Sequence, residues 1–274
     1  MPVTARPLRS AWRCAAIPLL AVAPLVADGA GTLHHSFDIT MQRGGGAGPT
    51  FDDESVIAET TVPAWSAVSL GSLPAAADLT ALHRANDGRW YFSLDTFAKL
   101  GTIDVGPEDV VAWNGASYAL VFDGSAVGIP PGASVDAVAQ APGLGLVLSF
   151  DVAVPVGGGV ADDEDVVAWD GAVLTLVFDA SDYGVPAALD LDALDVDASD
   201  DSLYVSFDGS GKLGSVDFDD DDLLHFDGTT WTKVSFAGLS QPGTDAADLD
   251  AVDYVTASIF ADGFENGGTT RWAN

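Results

Sequence analysis

The chain has 274 residues with 41 Asp and Glu against 10 Lys and Arg, a formal net charge of -31. That field excludes a nucleic-acid partner, which needs clustered Lys and Arg to displace counterions. A hydrophobic content of 48% with 7 Trp and 13 Phe supports a buried core and excludes global disorder. Most of the acids are Asp, beside 30 Gly and 14 Pro, which favours an all-β chain rich in turns, because Asp competes with the backbone for hydrogen bonds and collects in turns and caps.

The first element in chain order reads as a secretory signal peptide over residues 1–27. Arg6, Arg9 and Arg13 precede an apolar run at 14–26 that ends in small residues near Ala27. Pro18 and Pro24 interrupt this run, and it falls short of the roughly 20 apolar residues of a spanning helix. No second such run follows, so no membrane span is expected, and the expected location is secreted or on the outer cell surface. Cleavage would remove the one cysteine, Cys14, so stability must come from the core or from bound ions rather than from disulfides.

Over residues 31–258 one block recurs four times. Its first marker is Ser36-Phe37-Asp38, Ser93-Leu94-Asp95, Ser149-Phe150-Asp151 and Ser206-Phe207-Asp208, at separations of 57, 56 and 57 residues. Its second is Leu79-Thr80-Ala81-Leu82, Val135-Asp136-Ala137-Val138, Leu191-Asp192-Ala193-Leu194 and Leu249-Asp250-Ala251-Val252, at 56, 56 and 58. Each unit predicts four strands by alternation and turn chemistry. The first carries the Leu-Asp-Ala-Leu marker and the second ends in Ser-Phe-Asp. After a glycine-containing loop the third covers 110–113, 166–169 and 223–226. Asn114-Gly115, Asp170-Gly171 and Asp227-Gly228 follow, dipeptides that suit a type I′ hairpin. The fourth covers 118–122, 174–178 and 231–236, with 65–70 as its counterpart in the first unit, where 58–63 lacks the Asx-Gly turn.

Four-stranded units of this length suit the blades of a β-propeller. The chain opens on a second strand near Leu33 and closes its repeats on a lone first strand at 248–255. The two incomplete pieces make one unit. The expected fold is therefore an all-β, four-bladed β-propeller of four-stranded repeats, closed by the C-terminal strand. A β-solenoid, or a sandwich of two repeat pairs, would have to cap the half-units some other way. Ala81, Ala137, Ala193 and Ala251 hold the third place of each first strand, where converging inner strands leave no room for larger side chains.

The loop before each third strand is acidic: Asp52, Asp53 and Glu54; Glu108 and Asp109; Asp162, Asp163, Glu164 and Asp165; and residues 219–222. Neighbouring carboxylates repel by about 1 kcal/mol even in water, and a hard divalent ion with six to eight oxygen ligands relieves this. The Asp closing the second strand lies 13 residues earlier, as Asp95 with Glu108, Asp151 with Glu164 and Asp208 with Asp221. The expected Ca2+ ligands are accordingly Asp95, Glu108, Asp109, Asp151, Asp163, Glu164, Asp165, Asp208, Asp220, Asp221 and Asp222. The competing reading is a run of solvated turn acids. Asp195, Asp197 and Ser199 approach a DxDxDG calcium loop, but Asp200 replaces its Gly and Ser206 its bidentate Glu. Asp136, Asp192 and Asp250 form a separate acidic set at one mouth of the axial channel, interrupted by Thr80.

Catalytic patterns are sparse. His34, His35, His83 and His225 lack HExxH-type spacing, and His34 and His35 read as surface. Residues 115–119 lack the last glycine of a GxSxG elbow, and paired carboxylates, which would suit a glycosidase, have little specificity among so many acids. Trp90, Trp113, Trp169 and Trp231 read as blade core, with Trp90 beside Tyr91 the one candidate sugar-stacking pair.

The markers Asp-x-Asp-Ala-Leu at 190–194, Ser-Phe-Asp at 149–151, Asp-Glu-Asp-Val at 163–166 and Trp-Asp-Gly at 169–171 resemble those of uncharacterised exported bacterial repeat proteins. The segment 259–267 with Trp272 is similar to a short C-terminal DGFExG…W signature of secreted Gram-negative proteins. The resemblance implies export, with the tail at 259–274 a sorting or anchoring tag or simply an ordered end strand, and it brings no catalytic residues. Hemopexin-type propellers offer an architectural analogy alone. The function expected is an exported, non-enzymatic, monomeric binding or surface protein, calcium-stabilised, with a protein or carbohydrate partner. The alternatives are a polysaccharide-active enzyme using carboxylates in the axial cleft, or a purely structural envelope protein.

Overall fold

A computed structural model describes residues 31–42, 50–60, 65–234 and 247–256. Residues 1–27, expected to be a signal peptide, and the tail at 259–274 lie outside these residues. Four four-stranded antiparallel sheets make up the fold. From the axis outward, the second blade runs Leu79–Arg84, Trp90–Leu94, Val110–Trp113 and Tyr118–Phe122. The third runs Val135–Ala141, Gly145–Phe150, Val166–Trp169 and Leu174–Phe178. The fourth runs Ala193–Val196, Leu203–Ser206, Leu224–Phe226 and Trp231–Lys233. The first joins both chain ends, as Ala251–Thr256, Gly31–Ser36, Val56–Thr60 and Trp65–Val68. Its C-terminal strand pairs in register from Gly31 opposite Thr256 to Ser36 opposite Ala251, and the four inner strands meet around the axis. The chain is a four-bladed β-propeller closed by its last strand.

Each blade is apolar on both faces because it packs between two others, and the strand Trp90–Leu94 is buried at every position. The core falls into four clusters, each spanning two adjacent blades. Phe122 meets Phe150 and Leu148 between the second and third, Val205 and Phe207 meet Val177 and Phe178 between the third and fourth, and Leu33 and Val252 meet Ala193 and Leu223 between the fourth and first. Val56 and Ala251 complete the circuit against Leu79 and Phe92.

The Ser-x-Asp marker has a structural cause in every blade. The buried serine hydroxyl shares its proton between two carbonyls of the acidic turn: Ser93 between Pro107 and Asp109, Ser149 between Asp163 and Asp165, Ser206 between Asp220 and Asp222, and Ser36 between Asp53 and Ser55. The Asp accepts a hydrogen bond from the amide that precedes the inner strand: Asp95 from Asp78, Asp151 from Ser134, Asp208 from Asp190 and Asp38 from Asp248, at 2.7–2.9 Å. The last of these is a clasp between the two ends of the chain.

Two local expectations are corrected. Asn114, Asp170 and Asp227 do not open type I′ turns. Trp113 pairs with Tyr118, leaving a four-residue loop, and only the glycines at 115, 171 and 228 take positive φ. The Asx carboxyl or amide oxygen instead accepts the amides two and three residues on, as in Ala116 and Ser117 to Asn114. The glycine-containing loop between second and third strands is itself a two-stranded ribbon in each blade, such as Ala98–Leu100 with Ile103–Val105 and Gly211–Leu213 with Val216–Phe218.

Closure is testable by truncation. Removing residues 248–274 strips the inner strand from the first blade and exposes a sheet edge, so the product should aggregate or lose its cooperative thermal transition. Removing 263–274 should leave the transition in place. A longer truncation that melts like the full chain would overturn the closure.

Candidate functional site

Because four inner strands converge, equivalent residues of the four repeats are brought together at each step along the axis. Two steps carry chemistry. Near the start of the strands stand Thr80, Asp136, Asp192 and Asp250, just after Asp78, Ser134, Asp190 and Asp248. The Thr80 hydroxyl donates to the Val135 carbonyl at 2.8 Å and ties two blades together. Among the described residues no cation pairs with the three acids. Burial, reinforced by repulsion from neighbouring carboxylates, pushes Asp136 up to about 9, Asp192 to about 10 and Asp250 to about 9. The same causes push Asp78, Asp190 and Asp248 up to about 7.

Two residues beyond each inner-strand alanine, toward the other mouth, the equivalent positions are His83, Ala139, Asp195 and Asp253. The His83 Nδ1 lies 3.4 Å from Asp195 Oδ1 and 3.3 Å from Asp253 Oδ1. All three side chains are buried. Asp253 Oδ2 accepts from His34 Nδ1 at 2.9 Å and Oδ1 accepts from the Arg84 amide at 2.8 Å. Asp195 Oδ2 accepts from the Tyr254 amide at 2.9 Å. Asp195 Oδ1 and His83 Nδ1 are buried without an aligned hydrogen bond. Burial pushes Asp253 up, but the bond from His34 and the nearby His83 ring outweigh it and leave the carboxyl at about 2. For His83 burial lowers the value, and the two carboxylates outweigh it, raising it to about 9. Burial raises Asp195.

The group forms the floor of a cavity of about 280 Å³, also lined by Arg84, Asn86, Gln140, residues 196–199 and Tyr254. The Asp197 carboxylate accepts both the amide and the hydroxyl of Ser199, and Asp201, in the same loop, takes a left-handed φ of 61°.

The acids expected to hold calcium are placed differently. Asp95, Asp151 and Asp208 cap inner-strand amides. Asp109 and Asp165 each use both oxygens to fasten backbone, Asp109 on Gly106 and Gly124, Asp165 on Asp162 and Ala180. Asp222 accepts from the Asp219 amide and from Lys233. Asp151 is raised first by burial and further by its neighbour Asp163, and Asp220 adds to the upward shift of Asp248. Glu108, Glu164 and Asp221 are buried beneath their turns, and Glu108 and Glu164 each keep one oxygen, Oε2, without a hydrogen-bond partner. Glu108 and Asp109 also line a second cavity, of about 410 Å³, with Phe97, Leu120 and Asp123. Among the described residues the one set of three ligating side chains with donor atoms all within 4.8 Å of one another is His83, Asp195 and Asp253, and none of the expected calcium ligands belongs to it.

His34 and His35 are buried rather than surface residues, and His35 lies 3.4 Å from the fully buried Glu59. Trp90 and Tyr91 are buried as well, which removes the sugar-stacking pair. Arg84 and Arg89 lie over these two rings at 5.4 and 5.5 Å. Aligning the repeats on their alanines is the signal that finds the His83 group, since spacing along one strand does not.

No family model and no curated protein matches this chain. Solved structures do. A nidogen–laminin complex shares 12% identity over 76% of this chain and 62% of that chain, with a TM-score of 0.37. YCF48 bound to D1 peptide shares 12% over 82% of this chain and 58% of its own, at 0.33. The extracellular domain of a two-component system from B. thetaiotaomicron shares 8% over 74% and 34%, at 0.31. The chain thus spans less than two thirds of each, and similarity at this level assigns it no ligand.

The acidic mouth makes a pH prediction. A carboxyl whose folded value is raised contributes stability in full below its unfolded value near 4, and that contribution is lost as pH rises through the folded value. For Asp192 the window runs from about 4 to about 10. Wild type should melt progressively lower across this range. Asp192→Asn should match it near pH 4 and melt several degrees higher at pH 9, at about 2 to 4 °C per kcal/mol recovered. Equal midpoints at pH 9 would show that Asp192 carries no such strain.

Proposed function

We propose that this chain is an exported, non-enzymatic, monomeric propeller that binds a protein partner on the face where its inner strands end. The cavity at that end carries the reading: Arg84, Asn86, Gln140 and Tyr254 surround a buried histidine and two buried aspartates. A few polar groups fixed in a concavity suit orientation of an incoming side chain. The loop holding Asp201 out of the common backbone regions forms part of its rim, and such strain concentrates at binding sites. Export rests on the segment at 1–27 and on the resemblance of the tail at 259–274. Among the described residues no helix is long and apolar enough to cross a membrane.

A glycosidase needs one carboxyl protonated and one ionised across the bond it cleaves. Asp195 is raised and Asp253 lowered, which meets the electrostatic half of that requirement. The His83 imidazole occupies the space between them, within 3.4 Å of both, where a glycosidic oxygen would have to sit. Binding without hydrolysis is therefore the reading favoured. The immobilised full chain should retain a partner from the exported protein fraction in a 1:1 complex. Arg84→Glu combined with Gln140→Ala should weaken retention at least about tenfold, as loss of a central contact of about 1.4 kcal/mol or more does. Val160→Ser, on an outer ribbon, should leave it unchanged. Release of reducing ends from a polysaccharide panel would overturn the non-enzymatic reading, and retention insensitive to the cavity substitutions would overturn the face.

Calcium stabilisation is the second reading, favoured by the unpaired Oε2 atoms of buried Glu108 and Glu164. Calcium at about tenfold its dissociation constant, typically 0.1 to 1 mM for extracellular modules, contributes about 1.4 kcal/mol per site. The melting midpoint should rise by a few degrees over sodium chloride at matched ionic strength, and Glu164→Gln should remove part of the rise. An equal rise in sodium alone means screening of surface charge and removes the calcium reading.

A further inference from the structure

We propose that His83, Asp195 and Asp253 form a binding site for a divalent first-row transition ion of the zinc class, at the floor of the axial cavity. Each residue supplies one donor, and the three come from the inner strands of three different blades.

The geometry fits such an ion. Bonds of about 2.0 to 2.1 Å set tetrahedral ligands about 3.3 to 3.4 Å apart. The His83 nitrogen stands 3.4 Å from Asp195 Oδ1 and 3.3 Å from Asp253 Oδ1, and the three donors lie within 4.8 Å of one another. Coordination would employ the two atoms here that lack an aligned partner, His83 Nδ1 and Asp195 Oδ1. The other carboxylate oxygens are held by bonds that fix each ligand's orientation: the Tyr254 amide on Asp195, and the His34 ring on Asp253. Such bonds from outside the ligand set orient a metal ligand and tune its basicity.

The fourth equivalent position is Ala139, which offers no donor. Three protein ligands with a fourth place toward a cavity is the arrangement of an open zinc site rather than a closed structural one. Imidazole nitrogen with two carboxylates suits zinc and its neighbours, whereas calcium prefers six to eight oxygens. Participation of the ion in partner binding rests on the function proposed above, but its presence does not.

The test uses metal alone. The full chain, stripped with chelator, is titrated with Zn2+ against a chromophoric competitor in high salt, which suppresses diffuse binding to surface acids. One equivalent should bind. Asp195→Asn and His83→Gln should each weaken that site at least about 100-fold, while Asp192→Asn, at the opposite mouth, should not. Co2+ in the wild-type chain should give the intense visible bands of a low-coordinate site, a readout that needs no variant to fold. Stoichiometric Zn2+ binding unaffected by either ligand substitution, absence of the Co2+ bands, or no bound equivalent in wild type would each overturn the site. Partner retention that persists in chelator after such a result would leave the binding reading standing.

Discussion

Four strands meeting on one axis is the constraint on which the rest of this structure depends. With so few blades, the inner strands come close enough that residues far apart in sequence are neighbours at each step. At one step this forces alanine, since Ala81, Ala137, Ala193 and Ala251 are all buried and larger groups would overpack the axis. One residue earlier it crowds Asp136, Asp192 and Asp250. Two residues later it assembles a histidine and two aspartates from three blades. Convergence therefore makes both the packing and the chemistry, and a solenoid of the same repeats would have kept these groups apart.

The two mouths handle buried charge in opposite ways. At the acidic end no cation is at hand among the described residues, and the buried, mutually repelling carboxyls are shifted toward holding their protons. At the other end His83 lies between Asp195 and Asp253, while His34 holds the far oxygen of Asp253. That arrangement keeps Asp253 ionised and gives the floor of the cavity a fixed polarity. The acids of the outer turns follow a third route. Asp109, Asp165 and Asp222 are satisfied by backbone amides, a use of carboxylates in which the chain supplies its own donors. The acids of the described residues are thus divided among protonated, ion-paired and backbone-bound groups, with the remainder facing solvent.

The blade count, the closing strand and most strand positions were legible because each depends on local periodicity and on the phase of the repeat. Tyr118–Phe122 and Leu174–Phe178 coincide with their apolar runs for that reason. The ribbons such as Lys99 opposite Asp104 were not, since three-residue strands around a turn leave too little alternation to detect. The hairpins failed differently. Asn114-Gly115 matches a two-residue turn by composition, but the Asn side chain accepts two amides and so stabilises a longer loop. The site was missed because its members lie 58 to 170 residues apart, and a search along single strands finds ligands only at short spacing. His34 and His35 read as surface for want of a visible partner. Their partners, Asp253 and Glu59, are on neighbouring strands of a sheet that only the closed ring completes.

Architecture and site meet at the closing strand. Asp253 belongs to the strand that closes the ring, and the His34 ring that orients it belongs to the strand at the other end of the described chain, 219 residues away. His83 sits on the next blade. When the closing strand is absent, His83 and Asp195 lose the carboxylate between His34 and the axis, and the cavity loses its floor. Any ligand held by all three groups recognises only the closed form, and by mass action it stabilises that form in proportion to the logarithm of its concentration over its dissociation constant. The seam of the propeller, where the first and last described strands pair from Gly31 opposite Thr256 to Ser36 opposite Ala251, is therefore also the place where binding contributes most directly to stability.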